Sequence, residues 1–298
     1  MPPPIEVIIN AASGSVEEEE TERYVAELFK ENGVEVNISI AKNSIEIGKL
    51  AEKAAKGNAE IIVAGGGDGS VSAVAAEVVR TKKKLGILPL GTLNNFSKDL
   101  RIPQDLAEAV RVIAEGNTKQ IDVGEVNGRI FVNNSSIGLY PRIVKRREKR
   151  QRLGWGKWRS ALWAALKILK LSPFFAVRLD TAAGRRIIRT PFVFVGNNAY
   201  EMDFFNIGRR ETLDDGKLSV YFLHRSGRKG LLLLVVRTIF GRLRQTKDFE
   251  EISTEEIMIE TRKTRVLAAF DGEIEKLETP LRYKILPKVL SVIVPEDE

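Results

Sequence analysis

The residues best equipped for chemistry lie in one short run, Gly65-Gly66-Gly67-Asp68-Gly69-Ser70. It follows the apolar stretch Ile61-Ile62-Val63-Ala64 and precedes a helical pattern through Val71, Val74, Ala75, Val78 and Val79. Glycines at a strand-to-helix junction let the backbone approach a ligand and aim its N–H groups at an anion. The positive end of the helix adds to that attraction. Asp68 stands where phosphates would lie, and a carboxylate there makes chemical sense if Mg²⁺ or a reacting hydroxyl lies between. A tight turn that needs φ > 0 accounts for one or two of the glycines and leaves the rest unexplained. The run reads as a nucleotide-phosphate loop. A Walker loop would need Gly-Lys-Ser/Thr. A dinucleotide fingerprint would open the first strand-turn-helix unit and carry an acid about 20 residues on.

Two further loops join it. The first strand, Ile5 to Ile9, ends in Asn10-Ala11-Ala12-Ser13-Gly14, from which Asn10, Ser13 and Gly14 are candidate nucleotide contacts. The buried strand pattern Leu85 to Leu90 runs into Gly91-Thr92-Leu93-Asn94-Asn95-Phe96. Gly91 permits a close turn, and Thr92 and Asn94 offer donors and acceptors. For Asn94, capping of the next helix and contact with a ligand are both open.

The two glycine loops, followed by Ile121-Asp122-Val123-Gly124, Leu213-Asp214-Asp215-Gly216-Lys217-Leu218 and Asp271-Gly272-Glu273, resemble in order the catalytic domain of diacylglycerol kinases, sphingosine kinases and bacterial lipid kinases. The likeness covers nearly the whole chain. Each string is weak alone, and five in order are specific. The resemblance implies ATP as phosphoryl donor, Mg²⁺, and a lipid hydroxyl as acceptor. It makes Glu273 the general base, Asp68 its metal-linked partner, and Asp122 a member of a shared Mg²⁺–water network. It also implies a structural Mg²⁺ on Asp215 and the backbone carbonyls of Thr212 and Lys217, a set of oxygen ligands that suits a hard cation. On sequence alone, an ordinary Asp-Gly turn explains Asp215 equally well, and a solvated hairpin acid explains an isolated Glu273. The chain departs from the family pattern at Ser70, commonly Thr, at Asn95, Asp in many bacterial members, and near Ala41, where a Thr often meets the nucleotide.

The elements that must position these residues change character midway. Helices are expected near 15–32, 44–56, 70–81 and 104–115, with strands near 34–40, 60–64 and 85–90, and this alternation argues a parallel sheet with helices on both faces. Ser15-Val16-Glu17-Glu18 reads as a capping box. From Ile121 the pattern turns to strands near 131–136, 174–181, 186–195, 218–223, 256–261 and 266–270, with hairpin signals at Asn127-Gly128, Ala183-Gly184 and Asp271-Gly272. The expectation is an α/β domain over 1–120 and a mostly antiparallel domain over 121–287. By the resemblance, the latter is a β-sandwich, the active site lies in the cleft between the domains, and the last strand, near 290–294 within 288–298, returns to the first domain.

Composition sets outer bounds. The 298 residues suffice for one large or two ordinary domains. The absence of cysteine removes disulfides and thiolate chemistry, and fits a reducing cytoplasm. The single histidine, His224, leaves no histidine cluster for a metal. The longest aliphatic run, Leu231 to Val236, is too short to span a bilayer, and Met1-Pro2-Pro3-Pro4 shows no signal peptide.

Between Arg142 and Lys170, eleven Lys/Arg stand against the single acid Glu148, a net +10 in a chain of net +7, so the remainder carries −3. Trp155, Trp158 and Trp163 all fall in this segment. A helix from Lys157 aligns Trp158, Ala161, Leu162, Ala165, Leu166 and Leu169 on one face. Such a basic amphipathic helix suits an anionic membrane surface, and packing of the same stripe on its own domain is an equal alternative. No nucleic-acid recognition motif is present.

The expected activity is transfer of the γ-phosphoryl group of ATP to a lipid hydroxyl by a cytoplasmic, peripherally membrane-associated enzyme. An NAD kinase and a non-catalytic lipid- or nucleotide-binding regulator are the alternatives. Phosphofructokinases also carry a Gly-Gly-Asp-Gly-Ser loop but follow a different pattern elsewhere. The acceptor pocket is expected among apolar side chains near Phe192, Phe194, Met202, Phe204 and Phe205. The sequence is silent on oligomeric state.

Overall fold

The computed structural model describes residues 4–11, 18–138, 174–182, 184–200, 210, 212–223 and 249–296. The first part of the chain alternates strand and helix: β1 (Ile5–Asn10), α1 (Glu18–Glu31), β2 (Val36–Ala41), α2 (Ser44–Lys56), β3 (Ile61–Gly66), α3 (Asp68–Val78), β4 (Lys84–Pro89), α4 (Asn95–Asp99) and α5 (Leu106–Glu115). The strands β2-β1-β3-β4 lie side by side and parallel. Val7, Ile8, Ile9, Ile62, Val63 and Leu85 are all buried, the near-continuous apolar pattern of a sheet covered on both faces. In this strand order the chain reverses direction between β1 and β3. The carboxyl ends of those two strands therefore open a crevice at the switch point, the usual ligand position in such sheets.

The second part is β-rich: β5 (Thr118–Val126), β6 (Arg129–Phe131), β7 (Asn134–Gly138), β8 (Phe175–Thr181), β9 (Gly184–Thr190), β10 (Phe192–Asn197), β11 (Leu218–Leu223), β12 (Phe249–Thr254), β13 (Glu256–Thr261), β14 (Arg265–Phe270), β15 (Glu273–Glu278) and β16 (Leu281–Ile293). Among the described residues, β12-β11-β10-β7-β14-β15 form one antiparallel sheet. The facing sheet contains β16, β13, β8 and β9, and it is continuous with the parallel sheet. Val177, Leu179, Val193, Val220, Phe222 and Ile259 fill the space between the two layers. The architecture is an α/β domain joined to a β-sandwich.

Strand β16 makes that join. It is 13 residues long where the apolar run 290–294 predicts only a short strand. Its first half pairs with β13, and Ser291 and Val292 pair in parallel with Lys84 and Leu85 of β4. Between Leu286 and Leu290 its pairing with β5 shifts register. Lys288 there has φ 52°, and its N–H donates to Asp122 Oδ1 at 2.8 Å. The expected strand 186–195 is broken at Pro191, and 131–136 divides into β6 and β7. Asn127-Gly128 and Asp271-Gly272 are two-residue turns with both central φ angles positive, the hairpin geometry those dipeptides favour.

Ser13, Gly14, the capping box at 15–18, Ala183, Met202, Phe204, Phe205, His224, the 231–236 run and the basic segment 142–170 lie outside the described residues or have undescribed side chains. No helix among the described residues is long and apolar enough to cross a membrane.

Candidate active site

Gly65 and Gly66 end β3, and α3 starts at Asp68. None of the glycines from 65 to 69 has positive φ, so the run does not serve a left-handed turn. Close approach explains two of the loop glycines. A Cβ on Gly66 would lie 2.5 Å from Ser70 Oγ, and one on Gly91 would lie 2.3 Å from the Gly67 Cα. The two glycine loops therefore touch backbone to backbone. Gly69 differs: a Cβ there would meet nothing closer than the Asp271 carbonyl at 3.9 Å. Neither backbone angle nor internal packing requires glycine at that position, and the space it leaves opens at the first turn of α3.

Asn10 Nδ2 donates to Ser70 Oγ at 2.9 Å, tying the end of β1 to the glycine loop. Asp68 reaches the second loop: its Oδ1 accepts from Phe96 N at 2.9 Å and its Oδ2 from Asn95 N at 3.2 Å. The acid thereby caps α4 from across the crevice. Asn94, at φ 51°, makes no side-chain cap, which corrects the capping reading. Its Nδ2 donates to Pro89 O and Gly91 O, at 3.0 and 2.8 Å, and shapes the loop from within. Its buried Oδ1 has no hydrogen-bond partner among the described residues. Thr92 is exposed at the loop tip. Ala41 is fully buried in the α/β core, so this position contributes to packing.

The β14–β15 hairpin sits on the first turn of α3 and brings two acids with opposite environments. The Asp271 carboxylate is buried and accepts from Ser72 Oγ and from the backbone N–H groups of Val132, Asn133 and Asn134, the amides at 2.7, 2.8 and 3.0 Å. Burial pushes this carboxyl above the ordinary 3.8, and those four donors pull the other way. Asp271 is thus a peg joining α3, the β6–β7 turn and the hairpin. The side chain of Glu273, two residues on, is exposed. No hydrogen bond or ion pair engages it among the described residues. Partial desolvation raises its carboxyl above the ordinary 4.5, the charges of Asp271 and Glu275 add to the rise, and Arg129 opposes it. A free carboxylate with a raised pKa has the character of a general base.

Asp122 is placed elsewhere. It is fully buried. Its Oδ2 accepts from Gly216 N at 2.7 Å and its Oδ1 from Lys288 N, while its own N–H donates to Leu213 O at 2.8 Å. Its carboxylate therefore anchors the 213–216 loop and the β16 bulge, and among the described residues no direct hydrogen bond joins it to Asp68, its expected partner in a Mg²⁺–water network. Asp215 is exposed at the tip of that loop, and its carboxylate accepts from the Thr212 hydroxyl. Thr212 thus contributes through its side chain in this geometry, and the side chain of Lys217 is exposed. No cluster of three or more His, Cys, Asp or Glu side chains stands ready for a metal among the described residues, so an ion here depends on backbone oxygens.

Sequence reasoning missed Ser72, Asn133, Asn197 and Arg210. Asn197 Nδ2 bridges Asp122 O and Val132 O, each at 2.9 Å. Its partners lie 65 and 75 positions away, a separation that leaves no local signal.

Fold and site together define a two-domain architecture, an α/β domain with a glycine-rich loop at its switch point joined to a β-sandwich. Residues 4–126 match the diacylglycerol kinase catalytic domain, and residues 136–294 match the YegS C-terminal NAD kinase beta sandwich-like domain. The chain belongs to this lipid kinase family. A Klebsiella pneumoniae protein described as "Probable lipid kinase YegS-like" is 34% identical over 125 residues, 41% of this chain and 42% of that protein. A diacylglycerol kinase of Staphylococcus aureus is 36% identical over 95 residues, 31% of this chain and 30% of its own length. The aligned stretches thus span less than half of those relatives. A diacylglycerol kinase structure from Bacillus anthracis superposes with TM-score 0.70 at 21% identity, covering 98% of this chain and 96% of that one. A second structure from that organism reaches TM-score 0.76 at 23% identity, over 98% and 97%. These structural likenesses establish the fold.

Proposed function

We propose that the chain is an ATP- and Mg²⁺-dependent lipid kinase that transfers the γ-phosphoryl group to the hydroxyl of a diacylglycerol-like lipid. The observation that carries this reading is the docking of the Glu273 hairpin on the first turn of α3, through Ser72 and beside the open face of Gly69, the chain neighbour of Asp68. The backbone of Gly67 to Ser70 and the Gly91–Asn94 loop bind the phosphates, with Asn10 holding Ser70 in place. Asp68 is the carboxylate suited to hold Mg²⁺: each oxygen accepts one amide hydrogen bond and keeps a further lone pair for a hard cation, and the residue is half-exposed. Bound Mg²⁺ supplies charge neutralisation on the phosphates. Glu273 accepts the proton of the lipid hydroxyl as that oxygen bonds to the γ-phosphorus and the bond from the γ-phosphorus to the bridging oxygen breaks, releasing ADP. Asp215, with the backbone oxygens of its loop, is the proposed seat of a structural ion.

A lipid acceptor needs an apolar recess. A cavity of about 770 Å³ in the sandwich, lined by Ile137, Phe174, Phe175, Val266 and Leu267 together with Arg189 and Lys276, is the proposed recess. Phe192 and Phe194 are buried, and Phe194 packs on Tyr200 and Tyr221, so these two rings belong to the domain's interior. The segment 142–170 is proposed to dock the enzyme peripherally on anionic membrane. Flotation should show binding to vesicles containing phosphatidylserine and none to neutral vesicles; equal binding to both would remove the electrostatic dock.

The resemblance of the sandwich to that of NAD kinases makes NAD the competing acceptor. The deciding test is transfer from γ-labelled ATP to a panel of lipid hydroxyls in mixed micelles, with NAD as a soluble acceptor. Labelled lipid is the expected result. Label in NAD reverses the assignment. ATP binding without transfer to any acceptor favours a regulator.

A further inference from the structure

Arg210 is the one Lys or Arg that is buried among the described residues. Its side chain is 0% exposed and its partner Asp99 5% exposed. Arg210 Nε donates to Asp99 Oδ2 at 2.8 Å. Nη1 donates to Val132 O at 2.7 Å and to Asn197 O at 3.3 Å, and Nη2 to Asn133 Oδ1 at 2.8 Å. The guanidinium also lies 5.7 Å from the Phe96 ring centre and 5.3 Å from that of Tyr200. A guanidinium tolerates such burial only when paired and hydrogen-bonded, as it is here.

The identity of those partners gives the residue its meaning. Asp99 and Phe96 belong to α4, whose first amides hold the Asp68 carboxylate. Val132 and Asn133 belong to the β6–β7 turn, whose amides hold Asp271 at the head of the Glu273 hairpin. One side chain therefore clamps the helix whose amides hold the proposed metal-binding acid to the turn supporting the proposed base. We propose that Arg210 is a positioning residue that fixes the separation of Asp68 and Glu273 across the cleft. Its catalytic consequence rests on the kinase reading above, and its structural consequence does not. Lysine cannot replace it, because only the planar fork donates to α4 and to the turn from one rigid group.

The test uses the full chain with Arg210→Lys, and Asp99→Asn as a second variant of nearly unchanged shape. Hydrogen exchange, read without any substrate, should show joint loss of protection at 95–99, 132–134 and 271–273 in both variants. Loss confined to one side of the cleft would overturn the proposal. In the transfer assay, Arg210→Lys should lower kcat by about a hundredfold, the scale of a misplacement near 1 Å, with little change in KM for ATP. In a Glu273→Gln background the same substitution should add almost nothing. A full further hundredfold loss there would mark a general structural defect and sink the positioning role. If the wild type transfers phosphate to nothing, the kinase reading fails, and the exchange experiment still decides the clamp.

Discussion

Two Asp-Gly turns in this molecule look alike in sequence and do opposite things. Asp271-Gly272 and Asp215-Gly216 each carry a glycine at positive φ, 90° and 68°. At the first, the carboxylate is buried and takes four donors from α3 and the β6–β7 turn. At the second, the exposed acid accepts from one hydroxyl among the described residues, and a different acid, Asp122, anchors the loop from below. The lesson is that a turn motif fixes backbone shape, while burial decides whether its acid is a structural peg or remains available to a ligand. Glu273 repeats the contrast within one hairpin: its carboxylate has no partner among the described residues, while Asp271 holds the hairpin in place.

The largest stability effect that separates the two turns should come from Asp271→Asn. The amide can accept from Asn133 and Asn134, but its NH₂ then faces the Val132 N–H, which loses its acceptor. A cost of about 2–4 kcal/mol is expected for lost charged hydrogen bonds and an orphaned donor, seen as a melting temperature lower by about 5–10 °C. A drop no larger than that of a surface variant would refute the peg. Asp122→Asn should follow at about 1–3 kcal/mol, since one amide of Gly216 or Lys288 loses its acceptor. It should also loosen the Asp215 loop, visible as faster exchange at 213–216.

Asp215→Asn should shift stability by no more than about 0.5 kcal/mol in chelator, as an exposed substitution does. In saturating Mg²⁺ the wild type should gain about 2.7 kcal/mol at a hundredfold excess over the dissociation constant, and the variant should gain nothing. A melting temperature of the wild type indifferent to chelator would remove the ion from this loop.

How much of this was legible in the sequence depended on distance along the chain. The glycine loop, its flanking strand and helix, and the Asn127-Gly128 and Asp271-Gly272 hairpins were readable because their signals are local. The length of β16 was hidden because Leu281 to Leu286 mixes charged and apolar residues, as a strand with unequal faces does, and Pro287 interrupts it. Asp271 read as a turn residue and no more, because its partners Ser72 and Val132 lie 199 and 139 positions away. Arg210, one of an adjacent arginine pair, reads as surface charge until the fold brings Asp99 to it from 111 positions away.

The smallest expected effect concerns pH. Because the folded-state pKa of Glu273 is raised above 4.5, its charged form opposes folding. The stability it contributes is full below the unfolded value and is lost as pH rises through the folded one. Glu273→Gln should therefore melt slightly higher than the wild type at neutral pH, with the gap closing as pH falls below 4.5. A variant that melts lower at neutral pH would show that the carboxylate stabilises the fold.

The most direct test of the Glu273 base is phosphate transfer to diacylglycerol in mixed micelles by the wild type and by Glu273→Gln, with ATP binding measured on both. Equal ATP binding is expected, with a rate lowered by about 10²–10⁴-fold, the range for loss of a general base. A Glu273→Gln enzyme that transfers at the wild-type rate would contradict this role, and the base would have to be sought elsewhere in the cleft.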